Sequence, residues 1–132
     1  MEYEEIPREA WREQCETFSR EHHGWRVTLR RADTAAIEYD LQMALSGAEV
    51  LAVEQPLRAV RLLPDGTGVV VEVGEEETQR FELKDLQRVW RERVGETEEG
   101  MRFDDGKGHT LLVEFRVPMP PEALDGLAEA EH

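Results

Sequence analysis

The chain of 132 residues contains a single cysteine, Cys15, and no long run of apolar residues. One cysteine excludes an internal disulfide and a zinc site built from several thiolates. No stretch approaches the roughly 20 consecutive apolar residues that a membrane-spanning helix needs, and the acidic opening M-E-Y-E-E lacks the basic start of a signal peptide. We therefore expect a cytoplasmic protein that does not contact membranes.

Basic residues are scarce relative to acidic ones, with sixteen Lys and Arg against thirty Asp and Glu and a net charge of −14. Such a surface repels phosphate backbones and anionic lipid headgroups, so the composition argues against binding to nucleic acid or to membranes. Basic or mixed-charge proteins are the partners that this charge favours. The length fits one domain, and the hydrophobic content of 39% suffices for a core without disulfides or metal.

The first periodic segment predicts a helix over residues 7–22. Pro7 suits the first helical position, and Gly24 supplies a C-terminal stop. Four side chains recur at the helical spacings of 4, 3 and 4 residues: Trp11, Cys15, Phe18 and His22. We expect this stripe to lie against the core, with Cys15 buried beneath the helix.

From Trp25 onward, apolar residues recur at every second position, which predicts strands. Alternation over 25–29 and 37–41, with a turn at 32–34, predicts a first hairpin. Further strands are predicted over 50–53, 57–63, 69–73, 81–83, 86–94, 101–103 and 111–115. Pro56 separates two of these runs, and we expect an edge, a bulge or a bend there because proline has no amide hydrogen.

These hairpins predict a mainly β (α+β) domain over residues 1–117. An N-terminal helix is followed by a six- to eight-stranded antiparallel barrel or strongly twisted sheet. The segment 86–94 fits both a strand and a short helix, and its β-branched residues favour the strand. The proline-led acidic segment 118–132 is predicted to be a short terminal helix or a tail outside the compact domain.

Several short motifs resemble a small bacterial family of uncharacterised proteins, a domain of unknown function. They are E-I-P-R-E-x-W at 5–11, F-S at 18–19, G-W at 24–25 and L-L-V-E-F-R at 111–116. The resemblance covers nearly the whole chain, and the segment after Val117 looks like an extension beyond it. Because these motifs consist of helix-start, core-aromatic and strand residues, the resemblance implies no catalytic residue and no binding residue.

Reactive side chains form no recognisable catalytic or metal-binding motif. Cys15 and His22 share a helical face, but two turns separate them by about 10 Å, which favours a buried core residue over a nucleophile and its base. Three histidines and two aspartates lack the short spacings of metal ligands: His22, His23, His109, Asp104 and Asp105. We expect a hairpin turn at 104–108 and no metal ion or other cofactor.

One local cluster combines basic and aromatic residues, as surfaces that bind single-stranded nucleic acid do: Arg88, Trp90, Arg91 and Arg93. In a strand these side chains alternate between two faces, so they form no single basic platform. We expect Trp90 to be a core or partly covered residue and the arginines to pair with neighbouring glutamates.

Two groups of glutamates fall between the predicted strands: Glu75, Glu76 and Glu77, and Glu96, Glu98 and Glu99. They predict a negative surface for a basic or mixed-charge protein, with a neighbouring apolar anchor to supply affinity. The alternative is solvated loop tips that protect sheet edges. We therefore predict a non-catalytic binding or regulatory module. A structural or stress-protective homo-oligomer and an enzyme with an unrecognised site are the other interpretations.

Overall fold

The computed structural model describes residues 2–94 and 97–115, with the side chains of 3–93 and 100–115. The strands are β1 (Glu2–Ile6), β2 (Arg26–Asp33), β3 (Glu49–Leu62), β4 (Gly68–Val73), β5 (Gln79–Lys84), β6 (Leu86–Val94), β7 (Thr97–Asp105) and β8 (His109–Phe115). The helices are α1 (Trp11–Glu21), α2 (Thr34–Tyr39) and α3 (Leu41–Gly47). The predicted domain boundary at 117 and the acidic segment 118–132 lie outside the described residues.

The eight strands form one sheet in the order β1-β6-β7-β8-β2-β3-β4-β5, and every neighbouring pair is antiparallel. Strands β1 and β5 are the two edges and do not pair with each other, so the sheet is not closed into a barrel. The predicted mainly antiparallel β fold behind an N-terminal helix is confirmed. Of the two predicted sheet forms, the twisted open sheet is the one observed.

Helix α1 confirms the predicted stripe. A 3-10 turn at Arg8–Ala10 precedes it, and the indole nitrogen of Trp11 donates a 2.9 Å hydrogen bond to the carbonyl of Ile6 at the end of β1. All four stripe residues are buried: Trp11, Cys15, Phe18 and His22. Gly24 follows with a φ of 85°, a left-handed conformation that favours glycine.

The first predicted hairpin is wrong, because residues 34–47 form α2 and α3 instead of a second strand. The apolar residues that alternate as in a strand also fit helical spacing, and Ile37 and Ala44 form a small buried cluster with Leu112 of β8. The carboxylate of Asp40 accepts a 3.2 Å hydrogen bond from the amide of Met43 and so caps α3. The cap and the contact with Leu112 stabilise two helices here in place of the predicted strand.

Two other features at the start of the sheet were not predicted. Residues 2–6 form β1, which pairs with β6, although a glutamate-rich segment has low strand propensity. Trp25 begins the alternation that continues at Val27 and Leu29, but its side chain is about half exposed while those two are buried. Its ring lies at the margin of the core, with its centroid 5.4 Å from that of Phe115.

The two apolar runs around Pro56 form a single long strand, β3. Its first half pairs with β2 and its second half pairs with β4. A φ of 45° at Glu54 and shifts in the β2–β3 register mark the expected bulge. This irregularity divides β3 into two halves with different surroundings.

The two faces of the sheet differ in composition. The face that carries α1 contains the main core, a single buried cluster that includes Trp11 and Phe18 of the helix and strand residues such as Phe103. The opposite face holds α2 and α3 over Leu112, beside a group of buried charged residues. Within the described part of the chain, no helix is long and apolar enough to cross a membrane.

Candidate functional site

The predicted glutamates Glu75, Glu76 and Glu77 occupy the bend between β4 and β5, and all three are exposed. They line one wall of a groove of about 570 Å³ whose other wall is the first half of β3. We call this the acidic groove. Its lining residues are Val50, Leu51, Ala52, Val53, Gln55, Glu75, Glu76, Glu77 and Gln79.

The second predicted group of glutamates lies elsewhere in the fold. Glu98 and Glu99 belong to β7 and not to a loop, because the β6–β7 ladder continues to the pair Val94 and Thr97. Glu96 lies outside the described residues, as do the side chains of Glu98 and Glu99. The geometry of the candidate site therefore rests on Glu75, Glu76 and Glu77.

Apolar side chains are exposed in the acidic groove beside the glutamates. Val50 is 50% exposed and Val53 is 60% exposed, whereas Val60 in the second half of the same strand is buried. Binding surfaces combine such apolar anchors with a charged rim, because buried apolar contact supplies most of the affinity. The groove therefore contains the apolar neighbour that the acidic residues need for binding a protein.

The first half of β3 has an open edge on the side of the acidic groove. Arg30 and Leu29 of β2 pair with Val50 and Ala52 on the other side, while pairing with β4 begins only at Leu57. Among the described strands, none pairs with residues 49–55 on the groove side. An unpaired strand edge accepts an added extended chain, so this wall favours an extended ligand.

The bulge shortens this open edge. The amide of Glu54 donates to the hydroxyl of Thr28 at 3.2 Å, and its carbonyl accepts from the guanidinium of Arg26 at 2.8 Å. The side-chain amide of Gln55 donates to the carbonyl of Val53 at 3.1 Å. These bonds occupy backbone groups of the bulge, so residues 49–52 are the stretch left for an added strand.

The acidic bend is held by its backbone. Gly74 has a φ of 130°, and a Cβ placed there would lie 2.0 Å from the carbonyl oxygen of Glu77. The guanidinium of Arg58 donates to the carbonyl of Gly74 at 2.7 Å and also to the carbonyl of Glu75. The Glu75 carboxylate pairs with Arg26 at 2.9 Å. Glu76 and Glu77 form no ion pair with any described residue, so their charges face solvent.

A buried charged cluster on the face opposite α1 escaped sequence reasoning. The carboxylate of Asp104 accepts hydrogen bonds from Arg102 at 2.9 and 3.1 Å, from the Trp90 indole at 2.9 Å and from the Thr110 hydroxyl at 2.8 Å. The guanidinium of Arg102 lies 5.1 Å from the ring centroid of Tyr3 and 5.2 Å from that of Trp90. Because these donors surround both carboxylate oxygens, the cluster links β6, β7 and β8.

The phenol of Tyr3 is part of the same cluster. Burial, followed by the charge of Glu92, raises its pKa, so Tyr3 stays protonated at physiological pH. The sequence signal was the pair Arg102 and Asp104, which share one face of a strand at a spacing of two. We had expected Asp104 in a turn at 104–108, but β7 continues to Asp105 and the turn follows it.

Cys15 confirms the prediction of a buried core residue. Its side chain is 1% exposed, and burial raises the pKa of the thiol to about 12. The Nδ1 atom of His22 lies 2.9 Å from the carbonyl oxygen of Phe18, one turn earlier in the helix. The ring of His22 also contacts Phe18 and Phe115, with centroids 4.7 and 4.4 Å away. This arrangement does not activate the thiol as a nucleophile.

Asp105 and His109 near the β7–β8 turn serve the turn itself. The Asp105 carboxylate accepts the backbone amides of Lys107 and His109, each at 2.8 Å, and lies 3.1 Å from the His109 ring. Burial would raise the pKa of Asp105, but these hydrogen bonds outweigh it and lower the pKa. Over the residues the structure describes, no three His, Cys, Asp or Glu side chains gather as a metal site would require.

The basic and aromatic cluster in β6 is divided between two faces, as expected for a strand. Trp90 points to Asp104 on the face opposite α1, while Arg91 donates a hydrogen bond to the side chain of Gln14 in α1. Trp90 is partly covered, and Arg93 lies 3.8 Å from Glu4. The cluster therefore forms no continuous basic platform.

Comparisons with protein-family models, with curated proteins and with solved structures gave no match. The family resemblance inferred from the sequence motifs therefore stays a prediction.

Proposed function

We propose that this protein is a non-catalytic binding module whose acidic groove holds an extended basic segment of a protein partner. The observation that carries the proposal is that Val50 and Val53 are exposed in the same groove as Glu76 and Glu77. The valines offer apolar contact, and the glutamates offer charges that no described residue pairs with. Neither the valines nor the glutamates are needed by the core.

An extended ligand fits the two walls of the groove. Side chains of an extended chain alternate between two sides, so one set can meet the valines while the other meets the glutamates. The open edge at 49–52 adds backbone hydrogen bonds to this arrangement. Alternation of basic and aliphatic residues is therefore the sequence pattern we expect in the bound segment.

Charge and apolar contact contribute differently to such binding. Glu76 and Glu77 are exposed, so each ion pair with a ligand contributes about 0.2–1 kcal/mol and mainly raises the association rate. The valines supply the part of the affinity that salt does not screen. We therefore expect binding to weaken, but not to vanish, as ionic strength passes about 0.1–0.15 M.

The probe for a direct test is a fluorescently labelled short peptide of alternating arginine and valine, measured by anisotropy against the full chain. Its control has the same composition but groups the arginines and the valines in two blocks. We expect the alternating peptide to bind more tightly, because only it can place the two residue types on opposite sides. Equal binding of both peptides would contradict an extended ligand in the acidic groove.

Charge variants locate the binding. Glu76→Gln combined with Glu77→Gln should weaken binding about fivefold, as expected for two exposed pairs of about 0.5 kcal/mol each. The matched control is Glu9→Gln combined with Glu13→Gln, which removes the same charge from the exposed side of the N-terminal helical region. If the two double variants weaken binding equally, the peptide responds to net charge and the groove proposal is wrong.

Self-association is the second candidate function, because α2 and α3 expose two large apolar side chains. Tyr39 is 89% exposed and Met43 is 69% exposed, and both line a groove of about 280 Å³. Sedimentation velocity at micromolar concentration tests this candidate. Self-association would be supported if the wild-type chain is a dimer and the double variant Tyr39→Ser with Met43→Ser is a monomer. A monomeric wild-type chain would rule out this function.

A further inference from the structure

The second half of β3 lines another groove, of about 640 Å³, between this strand and α1. We call it the basic groove. Its lining residues are Arg12, Glu16, Ser19, Arg20, His23, Ala59, Val60, Arg61 and Leu62. Its charged lining residues are three arginines and one glutamate, which makes it locally basic in a chain whose net charge is −14.

The positive charges are spread along the length of the basic groove. Arg12 and Arg20 both belong to α1 and are eight positions apart, which corresponds to about 12 Å along a helix. Arg12 donates to two uncharged carbonyls, those of Leu63 and Pro64, each at 3.2 Å, so its charge is not neutralised. Arg20 forms no ion pair with any described residue, and neither does His23.

The opposite rim and the floor are formed by β3. Arg61 lies on the strand side, where its charge is shared with Glu72 at 2.7 Å. Ala59 and Val60 are buried and Leu62 is partly buried, so the floor between the charged rims is apolar. The basic groove therefore offers a narrow apolar floor, with Arg12 and Arg20 toward the two ends of its helix wall and Glu16 between them.

The width of the basic groove is set by a contact between its two walls. The hydroxyl oxygen of Ser19 in α1 accepts a 2.7 Å hydrogen bond from the amide of Val60. The same oxygen lies 2.8 Å from the carbonyl oxygens of Cys15 and Val60. Because α1 is also anchored by Trp11 and Phe18 in the core, the walls are in place before any ligand arrives.

We propose that the basic groove binds an acidic amphipathic helix of a protein partner. Two carboxylates placed two turns apart on such a helix match the separation of Arg12 and Arg20, and apolar residues between them meet Leu62 and the floor. The positive charges at both ends favour this elongated ligand over a small anion with a single charge. The net charge of −14 disfavours a long polyanion such as nucleic acid.

This site is independent of the acidic groove. The two grooves have opposite charge, take opposite ligands and lie on different halves of β3. Failure of one proposal leaves the other unaffected. If both hold, the chain brings a basic segment and an acidic helix to one strand, so it acts as an adaptor between two proteins.

The test uses the full chain labelled with ¹⁵N and a synthetic helical peptide that carries two glutamates two turns apart with leucines between them on the same face. We expect chemical-shift changes at α1 and at the second half of β3. A control peptide of the same composition, with its glutamates one turn apart, should bind more weakly. Equal binding of both peptides, or shift changes outside α1 and β3, would overturn the proposal.

Two double variants that remove the same charge test whether Arg12 and Arg20 bind the acidic peptide. Arg12→Gln with Arg20→Gln should weaken binding about tenfold, while Arg31→Gln with Arg88→Gln should leave it unchanged, since these two exposed arginines lie outside the basic groove. Arg20→Gln alone should weaken binding about threefold, and it keeps the Arg12 contacts that hold the loop after β3. Equal effects of the two double variants would contradict the site, as would full competition by inorganic phosphate, which would indicate a small-anion site.

Discussion

The two grooves share strand β3 but are held in place by different forces. One wall of the acidic groove is a bend whose shape depends on Gly74 and on hydrogen bonds from Arg58 to backbone carbonyls. One wall of the basic groove is helix α1, which is anchored by buried side chains such as Phe18. We conclude that damage to the core should remove the basic groove first, whereas damage to the bend should remove only the acidic groove.

The bulge in β3 is what allows one strand to serve both surfaces. Up to Pro56 the strand pairs with β2 and exposes Val50 and Val53, and from Leu57 onward it pairs with β4 and lies under α1. Apolar residues in the second half are therefore buried in the core, while Val50 and Val53 in the first half are exposed and can contact a ligand. The difference lies in what covers each half of the strand.

The largest expected effect is that of Phe18→Ala. Phe18 is buried and its ring stacks on Phe115 with centroids 5.0 Å apart, so its loss should lower the free energy of unfolding by about 3–5 kcal/mol. Urea unfolding measures this change, and Thr17→Ala, at a partly exposed neighbouring position, is the control. A loss below about 1 kcal/mol would mean that Phe18 does not anchor α1 to the core.

Gly74→Ala should separate the two grooves. The new Cβ would meet the carbonyl of Glu77, and alanine rarely adopts a φ of 130°, so we expect a loss of stability of about 1–3 kcal/mol. Binding of the alternating basic peptide should be lost while binding of the acidic helical peptide persists. Gly47→Ala is the control, since that glycine has open space around its Cβ position. Loss of both peptides would show that the bend and α1 are coupled.

Ser19→Ala should have a smaller effect, confined to the basic groove. It leaves the amide of Val60 without its hydroxyl partner at a half-buried contact, which costs about 1–2 kcal/mol. Affinity for the acidic helical peptide should fall, and affinity for the basic peptide should not. Ser46→Ala, on an exposed position of α3, provides the control. An unchanged thermal midpoint for Ser19→Ala would show that this contact does not fix the groove wall.

Hydrophobic periodicity predicted the helix and strands correctly wherever the apolar residues fitted only the helical spacing or only the strand spacing. The stripe of α1 and the hairpin of β7 and β8 follow from spacing alone, because their buried residues match only one pattern. The apolar residues over 37–45 match both the helical and the strand period. They form helices because Asp40 caps α3 and because their side chains pack on Leu112. The packing could not be predicted locally, since Leu112 belongs to a strand distant in sequence. Strand β1 likewise depends on its pairing with β6 and not on its own residues.

The candidate site was only partly accessible to the same reasoning. Glu75, Glu76 and Glu77 were predicted as exposed because no strand or core period includes them. The exposure of Val50 and Val53 was not predictable, since it results from the end of β4 at Val73 and not from any local pattern. The buried cluster around Asp104 was missed because Asp-Asp-Gly is also ordinary turn chemistry.

At neutral pH the smallest expected effect is that of Cys15, because its contribution to stability changes only above about pH 9, and it measures how firmly the α1 wall is held. Burial raises the pKa of this thiol from 9.0 to about 12, so the folded state holds the proton more tightly than the unfolded state. The resulting stability is fully present below about pH 9 and is lost as the pH rises toward 12. Unfolding in urea across this range, compared with Cys15→Ala, isolates the contribution of the thiol.

The rate of thiol labelling at neutral pH extends the same comparison. A buried, protonated thiol reacts only when α1 opens, so the native chain should be labelled slowly and the denatured chain rapidly. Phe18→Ala should accelerate labelling because it weakens the α1 wall, whereas Gly74→Ala should not, because the acidic bend has no part in covering Cys15. Equal acceleration in both variants would mean that Cys15 becomes accessible by opening of the whole domain, and the two grooves would then not be separate units of stability.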